Sequence, residues 1–252
     1  STEMAAKAAL LGIALMASRT SPTDMAVRLC DESGIALIGY LRAGQFQVYA
    51  HHERLLMPGE KIKGVAGVIL AGGKSSRMGR NKALLPYNGK PLIESVYLVM
   101  AELFDQVAIV TNSPDDYSFL PCLKIPDIHV GMGSIAGIHA GLQWSPEERI
   151  FVAGCDMPFL EKELVRHLAA LSVHDSGVVP CTPGGYEPLH AIYSKLLLPL
   201  LEDALKSDRK RIIDLVALME VKVVAAEEIA AVSPQFRSFI NLNTPEDYNA
   251  HA

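Results

Sequence analysis

Short apolar runs alternate with amphipathic helical stretches from residue 65 to residue 217, and this alternation restricts the possible folds more than any other feature. Apolar runs without polar alternation are typical of strands that are covered on both faces, as in parallel sheets. We therefore predict an α/β fold with an open, mostly parallel sheet and helices on both faces. The predicted strands are 65–70, 106–111, 149–154 and 177–180, and the predicted helices are 91–104, 135–144, 161–171, 195–206 and 209–217.

A polar stretch with a Pro-Gly turn signal separates this region from a differently patterned N-terminal segment. We assign residues 1–57 to a small α/β appendage, 58–64 to a linker and 65–252 to the main domain. In the appendage we predict a helix over 2–11, a buried strand over 13–17, a helix that starts at a Ser21 cap and ends near 32, and strands over 35–41 and 46–50.

The composition excludes several classes of protein. Of the 252 residues, 50% are hydrophobic and 20% are charged, which is incompatible with a disordered chain. The formal net charge of −5 provides no basic field for a nucleic-acid backbone. The longest apolar run, 8–17, is too short to span a bilayer, and Glu3 and Arg19 flank it closely. We expect a cytoplasmic protein that binds neither nucleic acid nor membrane.

A glycine-rich stretch with basic residues follows the first predicted strand of the main domain, from Leu70 to Lys82. Glycines allow backbone N–H groups to approach an anion closely, and the basic side chains can neutralise phosphate charge. The stretch matches neither the Walker A pattern nor GxGxxG. From these residues alone, an exposed and solvated loop remains the alternative.

Asp156 follows the strand predicted over 149–154, which places a carboxylate at the carboxyl edge of the sheet, where ligands of such folds bind. Magnesium prefers oxygen ligands and needs only one or two protein carboxylates when substrate phosphates complete its shell. The alternative is that Asp156 caps a helix starting near Phe159. In either role we expect the carboxylate to be wet rather than buried, and Cys155 to be a packed small residue.

The stretch from 70 to 82 resembles the N-terminal signature of the nucleotidyltransferases that activate sugars and cofactors. Its Gly72-Gly73 doublet is similar to that of the molybdenum cofactor guanylyltransferases, whereas their cytidylyltransferase relatives have alanine at the first of these positions. The resemblance covers about 65–250. It implies a Rossmann-like nucleotidyltransferase domain that transfers GMP from GTP to molybdopterin, with Mg²⁺ as cofactor and release of pyrophosphate.

The resemblance also implies roles for individual residues. The loop 131–137 is similar to a glycine-rich loop of the family, and the following helix would direct its N-terminus at a ligand. Asn241 and Asn243 would lie on one side of a strand. The implied catalytic residues are Arg77, Lys82 and Asp156, with Asp156 as the metal ligand; the nucleotide-binding residues are Leu70, Ala71, Gly72, Gly73, Lys82, Asn112, Asp127 and Asp156; the molybdopterin-binding residues are Gly133, Gly137, Asn241 and Asn243. Arg209 is added to the molybdopterin-binding residues because it belongs to an Arg pair at a predicted helix start that could meet the molybdopterin phosphate; the alternative is a solvated basic turn.

Residues 18–23 and 39–49 resemble a second family, at the C-terminal end of the formate dehydrogenase accessory sulfurtransferase. The cysteine loop of that family lies upstream of the matched part and is absent from 1–57, so we expect no sulfur transfer by this segment alone. The likeness adds molybdoenzyme maturation proteins as further partners. The alternatives for the whole chain are a molybdopterin cytidylyltransferase, a sugar-phosphate nucleotidyltransferase and a non-enzymatic adaptor that carries the cofactor.

Overall fold

The computed structural model describes residues 1–42, 45–55, 59–72, 81–207, 209, 211–242 and 247. The chain divides into two compact units, Ser1–Pro58 and Gly59–Ala252. The helices are α1 Thr2–Leu10, α2 Asp24–Glu32, α3 Leu92–Leu103, α4 Gly133–Trp144, α5 Lys162–Leu171, α6 Leu198–Lys206, α7 Ile213–Val216 and α8 Ala226–Val232. The strands are β1 Leu15–Ala17, β2 Ala36–Arg42, β3 Gln45–Ala50, β4 Val65–Leu70, β5 Pro86–Tyr87, β6 Lys90–Pro91, β7 Val107–Val110, β8 Leu123–Ile125, β9 Arg149–Gly154, β10 Gly177–Thr182, β11 Gly185–Tyr186, β12 His190–Ser194 and β13 Lys222–Val224. None of the helices in the described ranges combines the length and the apolar character needed to cross a bilayer.

The first unit is a three-stranded sheet in the order β1-β2-β3 with α1 and α2. Its small core contains Cys30, Ile35 and Leu37. Two predictions are wrong in this unit. Strand β1 is not buried, because it lies at the edge of the sheet and leaves 48% of Leu15 exposed. Helix α2 is capped not by Ser21 but by Thr23, whose hydroxyl oxygen accepts the N–H of Ala26 at 3.3 Å.

The second unit is built on one sheet in the order β11-β10-β12-β9-β4-β7-β8, with β13 beside β10. Strands β8, β7, β4 and β9 are parallel, whereas β12 pairs antiparallel with both β9 and β10. The prediction of a mostly parallel sheet is confirmed. Because β12 is antiparallel, its first residue lies at the same edge as the last residues of β9.

Helices cover both faces of this sheet, as predicted. One face carries a core that includes Ile93 and Met100 of α3 and Leu164 of α5. The other face carries a second core that includes Ile138 of α4 and Leu201 of α6. Residues of β4 and β9 alternate between these two cores, which explains why both strands are apolar throughout.

Three sequence predictions for the main domain are wrong. The helix predicted over 209–217 is only the single turn α7, and Arg209 lies in the turn after α6, where its N–H donates to the Ala204 carbonyl at 3.0 Å. Residues 240–242 form no strand. Ile62, assigned to the linker, is 3% exposed and pairs with Phe104.

The buried His190 makes the stability of the main domain depend on pH. Its Nε2 lies 2.8 Å from the Ser238 hydroxyl, and burial lowers the pKa of the imidazole from 6.5 to about 4. The unfolded chain therefore binds a proton between pH 6.5 and pH 4 that the folded chain does not bind, so stability falls as the pH falls through this window. We expect this residue to account for a loss on the order of 3 kcal/mol, measured by urea unfolding at pH 7 and pH 4.

Other groups also titrate in this window, so a difference between variants isolates the contribution of His190. His190→Gln should show a shallower decline than the wild type, whereas the same substitution of the exposed His174 should leave the decline unchanged. Equal slopes for the wild type and His190→Gln would contradict the assignment.

Candidate functional site

A cavity of about 440 Å³ opens at the carboxyl edge of the sheet, above β4, β7 and β9. This is where an open parallel sheet is expected to bind ligands. The cavity contains most of the described residues that the sequence singled out. It is lined by Leu70, Gly72, Lys82, Val110, Thr111, Asn112, Asp127, Val130, Gly131, Gly133, Ser134, Gly137, Gly154, Cys155, Asp156 and Leu189.

Asp156 stands two residues beyond β9 and forms an ion pair with Lys82, whose Nζ lies 2.5 Å from Oδ2. The prediction of a wet carboxylate is wrong, since the Asp156 residue is only 9% exposed. A later segment of the chain also contacts this turn, where the N–H of Leu242 donates to the Asp156 carbonyl at 2.9 Å. The helix-cap alternative is also wrong, because α5 begins at Lys162 with Glu161 as its N-cap residue.

Gly154 is the residue that allows the carboxylate to take this position. A Cβ atom at Gly154 would lie 2.5 Å from Oδ1 of Asp156, well inside van der Waals contact. Any side chain at this position would therefore displace the carboxylate. The requirement for glycine at the end of β9 is imposed by the neighbouring functional group and not by backbone dihedral angles.

Lys82, the last residue of the glycine-rich stretch, begins a 3₁₀ turn, Lys82–Leu84. Asn81 caps the turn, and its Oδ1 accepts the N–H of Ala83 at 3.2 Å. The Lys82 side chain is 32% exposed and reaches into the cavity to Asp156. One ammonium group and one carboxylate are thereby brought together from segments that are 74 residues apart.

The far end of the cavity is built by the segments that follow β7 and β8. Asn112 directly follows Thr111, and its Oδ1 accepts the N–H of Asp127 at 3.0 Å. One carboxylate oxygen of Asp127 accepts the N–H of His129 at 2.9 Å, so this acid shapes its own turn as well as lining the cavity. These hydrogen bonds hold Asn112 and Asp127 side by side.

Helix α4 begins at Gly133, at the rim of the cavity, so its first N–H groups contribute positive potential there. Gly137 lies one turn further along and is buried. A Cβ atom at Gly137 would approach the Leu70 side chain to 3.0 Å, so this glycine allows α4 to pack closely on the end of β4. Packing of α4 against β4 therefore also explains why glycine occupies this position in the cavity wall.

The remaining predicted residues do not line the cavity or cannot be placed. Ala71 uses its N–H to extend the pairing with Val110, at 3.0 Å. Arg209 is exposed in the turn after α6, and Asn241 precedes the Leu242 contact to Asp156. Gly73, Arg77 and Asn243 lie outside the described residues.

Sequence reasoning missed several lining residues, of which Thr111 and Leu189 are the most informative. Thr111 follows β7 directly and is buried. Leu189 precedes β12, and the antiparallel pairing of β12 with β9 places Leu189 beside Gly154. The rule that parallel strands end at one edge could have identified Thr111; nothing in the local pattern indicates the reversed direction of β12. Cys155 is packed as expected, and burial raises the pKa of its thiol to about 12.

The chemistry of the cavity fits a phosphorylated ligand with a metal ion. In the described parts of the chain no three His, Cys, Asp or Glu side chains converge on a possible metal position. A single carboxylate, Asp156, is nevertheless sufficient for an ion that takes most of its ligands from phosphates and water. Lys82 and the first turn of α4 add the positive potential that a polyanion requires.

Comparison with known proteins identifies the families to which the two parts of the chain are similar. Residues 67–222 match the model of the MobA-like NTP transferase domain, and residues 1–56 match that of the FdhD/NarQ family. The probable molybdenum cofactor guanylyltransferase of Peptoclostridium acidaminophilum is 33% identical over 201 residues, which cover 77% of this chain and 90% of that protein. The molybdenum cofactor guanylyltransferase of Desulfosudis oleivorans is 35% identical over 185 residues, or 73% of this chain and 92% of that protein.

A solved structure supports the fold. The molybdopterin-guanine dinucleotide biosynthesis protein A of Archaeoglobus fulgidus superposes with a TM-score of 0.66 at 29% identity, covering 73% of this chain and 95% of its own. Both resemblances inferred from the sequence are thus confirmed, the second for residues 1–56. The family model spans more than half of the chain and relatives above 30% identity are covered almost completely. The chain therefore belongs to the MobA-like NTP transferase family.

Proposed function

We propose that this protein transfers GMP from GTP to molybdopterin, forming the guanine dinucleotide cofactor and releasing pyrophosphate. The relatives described above are named for this activity. The observation that carries the proposal is the convergence of Lys82 and Asp156 at the sheet edge, in a cavity whose other end holds Asn112 and Asp127. A cationic end and a hydrogen-bonding end suit the triphosphate and the nucleoside of one nucleotide.

In the proposed reaction the terminal phosphate of the acceptor attacks the α-phosphorus of GTP, and pyrophosphate leaves. A phosphate is already ionised at neutral pH, so it needs no general base, and none of the described residues that line the cavity is a histidine. Lys82 would bind the phosphate chain and neutralise the charge that grows on the leaving group. By resemblance, Arg77 would assist it.

Asp156 is the residue that would hold Mg²⁺. The bound ion would supply charge neutralisation and in-line alignment of the phosphates. Lys82 would hold the Asp156 carboxylate in place before the nucleotide arrives, through the ion pair between the two side chains. Gly154 would leave the space in which the carboxylate remains.

We assign recognition of the nucleotide to Leu70, Ala71, Gly72, Gly73, Asn112 and Asp127. The role of Gly72 has support from packing. A Cβ atom at Gly72 would meet no atom of the described residues within 4 Å, so the packing of these residues does not require glycine there. A purine lying directly against this backbone would require it.

We assign the acceptor to Gly133 and Gly137 in the cavity wall, together with Arg209, Asn241 and Asn243, which are not among the described lining residues. The N-terminus of α4 supports this assignment, because it is a favourable place for the acceptor phosphate. We further propose that the reaction takes place in the cytoplasm and that molybdoenzyme maturation proteins receive the product. A cytidylyltransferase, a sugar-phosphate nucleotidyltransferase and a cofactor-carrying adaptor remain the competing functions.

Thermal unfolding in the presence of nucleotides tests the specificity. A ligand at a hundred times its dissociation constant adds about 2.7 kcal/mol to the stability, which raises the midpoint of a chain of this size by several degrees. With magnesium present, we expect GTP to raise the midpoint clearly more than ATP, CTP or UTP. A larger shift with CTP would favour the cytidylyltransferase alternative, and no shift with any nucleotide would favour the adaptor.

The variant Asp156→Asn tests the metal ligand. The substitution keeps size and hydrogen bonding but removes the charge. The transition state should lose several kcal/mol of stabilisation, so that turnover falls on the order of a thousandfold. Stability should fall by only about 1 kcal/mol, because the partner Lys82 is partly solvated.

Asp105→Asn is the matched control for this measurement. Asp105 also forms an ion pair with a lysine, Lys63, at 2.6 Å, but it lies beside the start of β7, at the opposite edge of the sheet. Its removal should leave pyrophosphate release unchanged. Normal turnover of Asp156→Asn at saturating magnesium would rule out the metal assignment.

The two units should be separable in function. The second unit contains the entire cavity and its own core, so we propose that residues 1–58 contribute nothing to guanylyl transfer. A chain that begins at Gly59 retains the buried Ile62 and should show unchanged kcat and KM for GTP. A folded chain of this length that has lost turnover would show that the first unit takes part in the reaction.

A further inference from the structure

Tyr117 is a buried side chain to which neither the sequence nor the proposed reaction assigns a role. It ends the 3₁₀ turn Pro114–Tyr117 after β7 and is 1% exposed. Its hydroxyl contacts one residue near each end of the glycine-rich stretch. The hydroxyl oxygen accepts a hydrogen bond from Nδ2 of Asn81 at 2.9 Å, and the hydroxyl donates to the Ala71 carbonyl at 3.4 Å.

Asn81 extends this connection to the cationic end of the cavity. Its Nδ2 also donates to Oδ2 of Asp116 at 3.3 Å, while its Oδ1 accepts the N–H of Ala83. The amide group is thus fixed on both sides, by Tyr117 and Asp116 on one side and by the 3₁₀ turn of Lys82 on the other. The next residue, Lys82, makes the ion pair with Asp156.

We propose that Tyr117 is a positioning residue for the phosphate end of the cavity: its hydroxyl ties Ala71 to Asn81, which in turn sets the direction of Lys82. This inference rests on the proposed function insofar as the ligand is a nucleoside triphosphate. The tyrosine must remain a neutral hydroxyl to donate and accept at once. Burial raises its pKa above the ordinary value, while hydrogen bonds with Asn81 and Thr111 act in the opposite direction.

A competing explanation is that the hydroxyl supports the cavity as a whole through Thr111, which lines the nucleoside end. The two explanations differ in the ligands they affect. Positioning through Asn81 and Lys82 concerns phosphates, so GTP should be affected and guanosine should not. Support through Thr111 should affect both ligands equally.

The test uses the full chain and four variants, Tyr117→Phe, Asn81→Ala, the two combined and Tyr97→Phe, with dissociation constants for GTP and guanosine measured by calorimetry in magnesium buffer. Tyr117→Phe removes only the hydroxyl, and we expect the affinity for GTP to fall about three- to tenfold with the affinity for guanosine unchanged. In an Asn81→Ala background the same substitution should have no further effect. Tyr97→Phe is the control, because Tyr97 also donates to a backbone carbonyl, that of Pro121 at 3.3 Å, but lies outside the cavity.

Amide hydrogen exchange of Ala83 provides a readout that does not depend on nucleotide binding. If Tyr117 fixes Asn81, the Ala83 N–H should exchange several times faster in Tyr117→Phe and at the wild-type rate in Tyr97→Phe. A wild type that binds no GTP would overturn the proposed function, and the exchange rate would still decide the role of Tyr117.

Three outcomes would overturn the inference. The first is unchanged GTP affinity together with an unchanged Ala83 exchange rate in Tyr117→Phe. The second is an equal loss of affinity for GTP and guanosine, which would assign the effect to Thr111. The third is a full additional loss in the Asn81→Ala background, which would show that the hydroxyl does not act through Asn81.

Discussion

The parallel hydrogen bonding of β4 to β7 and β9 is the constraint on which the site depends. Parallel strands end at the same edge, so the three segments that follow them are brought together whatever their own sequences. The residues that meet there are Leu70 and Gly72, Thr111 and Asn112, and the turn that contains Asp156. Strand pairing alone brings them together, without specific contacts between their side chains. The specific contacts, such as the Lys82–Asp156 ion pair, refine an arrangement that the sheet has already set.

The sequence predicts those strands that are buried on both faces, because burial leaves an apolar pattern. It does not predict short strands that form only by pairing with a neighbouring strand. Strands β4 and β9 were predicted with their observed limits, because each is apolar on both sides and six residues long. Strands β8 and β13 have three residues each and no such pattern, and their existence depends on the neighbouring strand. The same limit applies to Asn241, because the next residue, Leu242, makes a contact with Asp156 that only the fold brings about.

The site follows the same division. Lys82 could be identified because it is the last residue of a glycine-rich stretch, and Asp156 because it follows an apolar strand. Gly154 and Tyr117 could not be identified, since each acts through one close contact with a residue that only the fold brings near. The contact between Asp156 and Leu242 was missed for this reason too, because the two residues are 86 positions apart in the chain.

The position of β9 in the sheet governs the order in which the domain can be completed. Strand β4 is flanked by β7 on one side and β9 on the other, and β9 is preceded in the chain by both β7 and β8. During synthesis, β4 therefore has an open edge until residue 154 has emerged, and β9 has one until β12 follows about forty residues later. Open edges of apolar strands are prone to pair with other chains. Strand β4, which lies inside the sheet of the finished protein, is thus the strand whose second edge stays open longest during synthesis.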